Sequence, residues 1–156
     1  MLNKLKKSDN KGFTIIEVMI VLAIAGLIIL IVLLAVPALQ RNGRNTAIKN
    51  DASAIAGGIS EFASNNDGIG PNSVASAATG GVVTIKNTSA ATTAPTAARV
   101  QGGTTVAIGT TSVPPLGTIT VILAQRCDTS TNARAFAIWY SIENSSNAPQ
   151  YKCVDA

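Results

Sequence analysis

Glu17 borders nineteen consecutive uncharged residues, VMIVLAIAGLIILIVLLAV from Val18 to Val36, and is the first residue in this chain whose chemistry has to be explained. An ionised carboxylate beside so apolar a run is costly to place in lipid and is generally paired, so it calls for a cation rather than a substrate. Candidates for catalysis are scarce elsewhere. The chain has no histidine, which excludes imidazole acid–base work and histidine-ligated metals. Asp67, Asp128, Glu143 and Asp155 are scattered among predicted loops and form no recognisable acid/base pair. Asp128, Thr129, Ser130 and Asn132 make an oxygen-rich turn, but it lacks the repeated carboxylates of a calcium loop and reads as a turn without metal. No glycine-rich phosphate cradle leads into Lys-Ser or Lys-Thr, so energy from nucleotide hydrolysis has to come from other proteins. The reading is of a building block, with no enzymatic activity and no cofactor.

The elements that position Glu17 begin with the run itself. Nineteen residues at ~1.5 Å rise are about enough for a helix to cross a bilayer core. The formal charge of +4 is concentrated ahead of it, in Lys4, Lys6, Lys7 and Lys11 against Asp9, and the remainder of the chain is close to neutral. So even a balance gives little support to nucleic-acid binding, which needs a concentrated basic surface. Lys86, Arg99, Arg126, Arg134 and Lys152 are scattered, and contact with DNA or a host surface through them is the weakest partner expectation. A basic start followed by an apolar run allows three readings: a secretory signal cut near Val36-Pro37-Ala38, a permanent anchor, or a leader cut ahead of the run. The run exceeds the usual signal length, and Arg41, Arg44 and Lys49 after it leave only a slight charge bias for orientation. Cys127 and Cys153, an even count far from the run, indicate a disulfide in a part of the chain outside the cytoplasm.

Lys11-Gly12-Phe13-Thr14-Ile15-Ile16-Glu17 followed by the apolar run resembles the processing site of type IV pilins and their relatives. The resemblance covers the N-terminal third and implies cleavage between Gly12 and Phe13, methylation of the new Phe13 amine, and an assembly role for Glu17. In that family the acid is thought to attract the N-terminal amine of a neighbouring subunit. It further implies a single-pass membrane precursor, with its leader cytoplasmic and its head outside, that later joins an extracellular filament. Its partners would be copies of itself, a prepilin peptidase, an assembly platform with its motor ATPase, and membrane lipids before assembly. A secretion pseudopilin or minor tip pilin shares the same signal, and a secreted binding protein cut near Ala38 is the remaining alternative. Pilins of this type commonly carry a kinking proline within the run, whereas Pro37 falls at its end and predicts a bend or local melting over 33–37.

The expected fold is α+β, a long N-terminal helix packed on a small antiparallel sheet. The expected divisions are 1–12 leader, 13–40 hydrophobic helix, 41–66 amphipathic continuation, and 67–156 a β-rich head with a C-terminal disulfide loop. Ile48, Ala52, Ile55, Ile59 and Phe62 alternate spacings of four and three, one stripe of a helix. Asn65-Asn66-Asp67-Gly68, with Pro71 after it, is a stop signal. Strands are expected at 82–86, 104–108, 118–123, 133–141 and 150–154, with SAATTAPTAA at 89–98 as an exposed loop. Ile119, Val121, Phe136 and Ile138 are the expected inward residues, and Trp139, Tyr140 and Tyr151 belong to core and edge packing.

Overall fold

The computed structural model describes residues 12–76, 81–89, 94–101 and 104–156. The basic leader up to Lys11 and part of the Ala/Thr-rich stretch lie outside them. One helix, α1 (Ile15–Asn65), precedes seven strands: β1 (Ser73–Ser76), β2 (Val82–Lys86), β3 (Thr96–Arg99), β4 (Thr105–Ile108), β5 (Thr118–Gln125), β6 (Thr131–Glu143) and β7 (Pro149–Asp155). The chain divides into two compact units between Leu39 and Gln40.

In the first unit the side chains from Val18 to Leu34 are exposed on every face of α1. A helix apolar all round suits lipid or a crowd of like helices rather than water. α1 runs through Pro37 without interruption, so the melting expected over 33–37 does not occur. Proline removes a single donor, the one that would serve the Leu33 carbonyl, and the helix-forming residues on both sides keep the turn in place.

The second unit is organised by the stripe. Ile48, Ala52, Ile55, Ile59 and Phe62 are all buried, and two sheets cover them. The first has order β1-β2-β3 and is antiparallel throughout, with Val74 opposite Ile85 and Val83 opposite Ala98. It comes so close to α1 at Gly58 that an added Cβ would lie 2.7 Å from Ile85 Cδ1 and 3.1 Å from Ala98 Cβ. The second has order β4-β5-β6-β7, with Ile119 opposite Tyr140 and Val121 opposite Ile138. Ile119, Val121, Phe136 and Ile138 all join the core, as their alternation predicted. β1 lies beside β4, where the two sheets meet.

The expectation of a single antiparallel sheet needs four corrections. There are two sheets, and β4 pairs parallel to β5, Val106 opposite Ile119, because residues 109–117 return the chain to the same end before β5 begins. β1 was not anticipated, and Thr96–Arg99, read mostly as loop, forms β3. Both are short and poor in large side chains, so they carry almost no strand signal. In β3 the small Ala98 sits close against Gly58.

Buried polar groups tie the connections to α1. The Asp51 carboxylate accepts hydrogen bonds from Gln101 N–H at 2.9 Å and Thr104 Oγ1 at 2.6 Å, holding the start of β4 to the helix. Asn66 donates to the carbonyls of Phe62 and Ala94 and accepts from Ala94 N–H, which closes the helix end and fixes the approach to β3. Gly68, at φ +77°, donates to the Ala63 carbonyl at 2.8 Å and turns the chain out of α1. Cys127, in the β5–β6 turn, is joined to Cys153 of β7 with Cα atoms 5.7 Å apart.

Truncating Ile55 or Phe62 to alanine is expected to destabilise the head by roughly 2–5 kcal/mol in denaturant titrations. Asp51→Ala should cost about 2–4 kcal/mol, because two donors lose their acceptor in a buried setting. Replacing both cysteines by serine should remove about 3–4 kcal/mol on chain-entropy grounds, seen as a lower midpoint in the same titration.

Candidate functional site at the start of the helix

Gly12, Phe13 and Thr14 precede α1 and have no regular secondary structure, and Phe13 is 89% exposed. The peptide bond between Gly12 and Phe13 therefore lies outside the helix and open to approach. The helix starts where it does because Thr14 and Glu17 cap it reciprocally. Thr14 N–H donates to Glu17 Oε2 at 2.9 Å, the Thr14 hydroxyl donates to the same oxygen at 2.8 Å, and Glu17 N–H donates to Thr14 Oγ1 at 3.3 Å. This is a capping box, which satisfies backbone donors that no helical carbonyl can reach, and it also places a negative charge at the positive end of the helix dipole.

The structure therefore gives Glu17 a partner that the sequence reading missed, although Thr-x-x-Glu ahead of an apolar run is a recognisable signal of it. With Gly12 joined to it the Phe13 nitrogen is an amide, and the Glu17 carboxylate is met by Thr14. Glu17 and Phe13 nonetheless share one wall: together with Val18, Val21 and Leu22 they line a shallow groove of about 310 Å³. An amine released at Phe13 would appear one helical turn from the carboxylate.

A second polar cluster lies farther along α1, within the other unit. The Arg44 guanidinium meets Glu143 through Nε to Oε1 at 2.9 Å and Nη2 to Oε2 at 2.6 Å. Asn45 brackets the same residue, donating to the Glu143 carbonyl and accepting its N–H, both at 2.8 Å. Arg41 reaches the β6–β7 turn at the Ser145 carbonyl and at Asn147 Oδ1. The hydrogen bonds from Arg44 hold the Glu143 carboxyl below its ordinary range, and the same contact pushes the Arg44 guanidinium up. The clamp joins residues about a hundred positions apart, and no spacing in the sequence announces it.

The remaining sequence candidates are dispersed. Asp128 Oδ1 accepts from Ser130 N–H and its hydroxyl, which lowers the Asp128 carboxyl and commits it to the turn. Asp155 Oδ1 accepts from Cys127 N–H at 2.7 Å, beside the disulfide. Lys86 and Arg99 lie on the three-stranded sheet, whereas Arg134 and Lys152 lie on the four-stranded one and Arg126 in the β5–β6 turn. Tyr140 is in the core, where burial pushes its phenol up, and Tyr151 is exposed on β7.

A family model described as the prokaryotic N-terminal methylation motif matches residues 7–33. Neither the curated proteins nor the solved structures yield a match to the chain. The matched motif marks type IV prepilin-like proteins, of pilin or pseudopilin type, a structural family, and it takes in Gly12, Phe13, Thr14 and Glu17.

The clamp should make stability sensitive to acid. A carboxyl whose folded pKa is depressed adds stability above its unfolded value, and that contribution is lost as pH falls through the folded one. Wild type should therefore melt above Glu143→Gln at neutral pH, and the gap should close on acidification below about pH 4. Paired thermal melts across that range check this.

Proposed function

We propose that this type IV prepilin-like chain is the structural subunit of a surface filament, cut between Gly12 and Phe13 and polymerised through the apolar part of α1. The observation that carries the reading is the combination at one helix end: a methylation motif, an exposed non-helical Gly12-Phe13 bond, and a carboxylate one turn beyond it. Cleavage would convert the Phe13 amide into an ammonium, which a methyl group can then modify. That charge, from the same chain or from a neighbour, is the cation Glu17 lacks in the apolar run.

Before assembly, 18–36 would cross the membrane with the leader on the cytoplasmic side and the head outside. The membrane and the filament interior pose the same demand on these side chains, an apolar surround on all sides, so one surface serves both. A prepilin peptidase, an assembly platform with its motor ATPase, and further copies of the chain are the implied partners. Retention of the chain at the envelope, in place of release in sheared filaments, would favour the pseudopilin reading.

The mature chain is expected to begin at Phe13 and to carry the added mass of one methyl group when its intact mass is measured; an N-terminus at Leu39 would overturn the proposal. Glu17→Ala should be cleaved and inserted as wild type yet give at least about tenfold fewer subunits in sheared filaments, judged by immunoblot. Wild-type filament yield from that variant would defeat the assembly role of Glu17.

A further inference from the structure

Cys127 and Cys153 are 26 residues apart, and two thiols at that separation in an unfolded chain meet rarely. In the folded head more than their own bond holds them together. Cys153 and Asp155 are two positions apart on β7, so their side chains leave the strand on the same face. Both take hold of one residue. Cys153 joins the sulfur of Cys127, and Asp155 Oδ1 accepts the Cys127 N–H at 2.7 Å. The two sulfurs and an Asp155 carboxylate oxygen lie within 4.8 Å of one another, with both cysteines half-buried and Asp155 exposed.

Neither side of this junction needs the disulfide for its own shape. The turn that carries Cys127 is closed by Arg126 N–H to the Ser130 carbonyl and by Thr129 N–H to the Arg126 carbonyl, both at 2.9 Å, and Asp128 Oδ1 braces it through Ser130. β7 is paired with β6 from Pro149 to Asp155, and beyond that Ala156 and Phe136 exchange N–H to carbonyl bonds at 2.9 and 3.0 Å. The Asp155 contact ties one preformed part to the other. A carboxylate acceptor makes the stronger kind of hydrogen bond, and here it acts on the backbone of the residue whose sulfur must be placed.

We propose that Asp155 is a positioning residue for the Cys127–Cys153 pair: with the bond reduced, its hydrogen bond keeps the two thiols facing each other, so that the disulfide closes again within the folded head. Closure by a small disulfide such as oxidised glutathione consumes one molecule of it. One cysteine thiolate attacks a glutathione sulfur, breaking that S–S bond and releasing one glutathione. The other thiolate then attacks the protein sulfur of the mixed disulfide and releases the second. The cysteine pair is oxidised, glutathione disulfide is reduced, and the two protons lost by the cysteines end on the two glutathione thiols. Asp155 acts on the second, intramolecular step, by raising the local concentration of the attacking thiol.

The test is equilibration of the full chain in detergent micelles with reduced and oxidised glutathione, then acid quench, alkylation and intact mass, which gives the ratio of closed to open pair. Asp155→Ala is expected to lower the equilibrium constant for closure at least about fivefold, and Asp155→Asn, whose amide oxygen can still accept the Cys127 N–H, less than about twofold. A merely structural role would instead lower the melting of wild type and of a Cys127→Ser/Cys153→Ser variant alike on Asp155→Ala, and leave the closure constant unchanged. In the reduced wild-type chain, which needs no substitution, the Cys127 amide is expected to keep its protection from hydrogen exchange. A smaller loss of closure in Asp155→Ala, an equal loss in Asp155→Asn, or a Cys127 amide that exchanges freely once the disulfide is reduced would overturn the proposal.

Discussion

The stripe Ile48–Phe62 has to be covered, and most of the second unit follows from that requirement. Five apolar side chains on one side of α1 cannot face water, and a single small sheet cannot cover them all while leaving room for Gly58. Two sheets divide the task. The β1-β2-β3 sheet brings Ile85 and Ala98 against the bare backbone of α1 at Gly58, and the β4-β5-β6-β7 sheet brings Ile119, Val121, Phe136 and Ile138 into the core. Hydrophobic burial supplies the driving force without direction. Direction comes from the few buried polar contacts at Asp51 and Asn66, which would be left unsatisfied in any other arrangement of the connections.

The same helix is under an opposite requirement in the first unit. From Val18 to Leu34 no side is polar, and the side chains are exposed. The capping box at Thr14 and Glu17 settles where this surface begins, and it does so with a group that is itself charged. The carboxylate that caps α1 also lies in the same shallow groove as Phe13. Electrostatic need and helix termination thus fall on one residue, and this explains an acid in so apolar a neighbourhood better than either does alone.

Polar contacts at Arg41, Arg44 and Asn45 set the far end of β6 and the β6–β7 turn against α1. Glu143 is held from the side by Arg44 and along its backbone by Asn45. The disulfide secures the opposite end of β7, next to the Cys127 turn that Asp155 also holds. An edge strand fastened at both ends is less free to pair with stray chains.

Periodicity in the sequence determined the stripe of α1, along with β2, β5, β6 and β7, because large apolar residues at fixed intervals constrain a local conformation directly, and Asn65-Asn66-Asp67-Gly68 marked the helix stop. Lys11 to Glu17 likewise determined the likeness to pilins, since that signal is contiguous. Only the tertiary structure decided β1 and β3, the parallel pairing of β4 with β5, and the Arg44–Glu143 clamp. Short strands of Ala, Ser and Thr have no intrinsic preference strong enough to announce them, and they become strands by pairing with β2. Contacts between residues a hundred positions apart leave no local trace at all, for they exist only once the chain has folded back on its own helix.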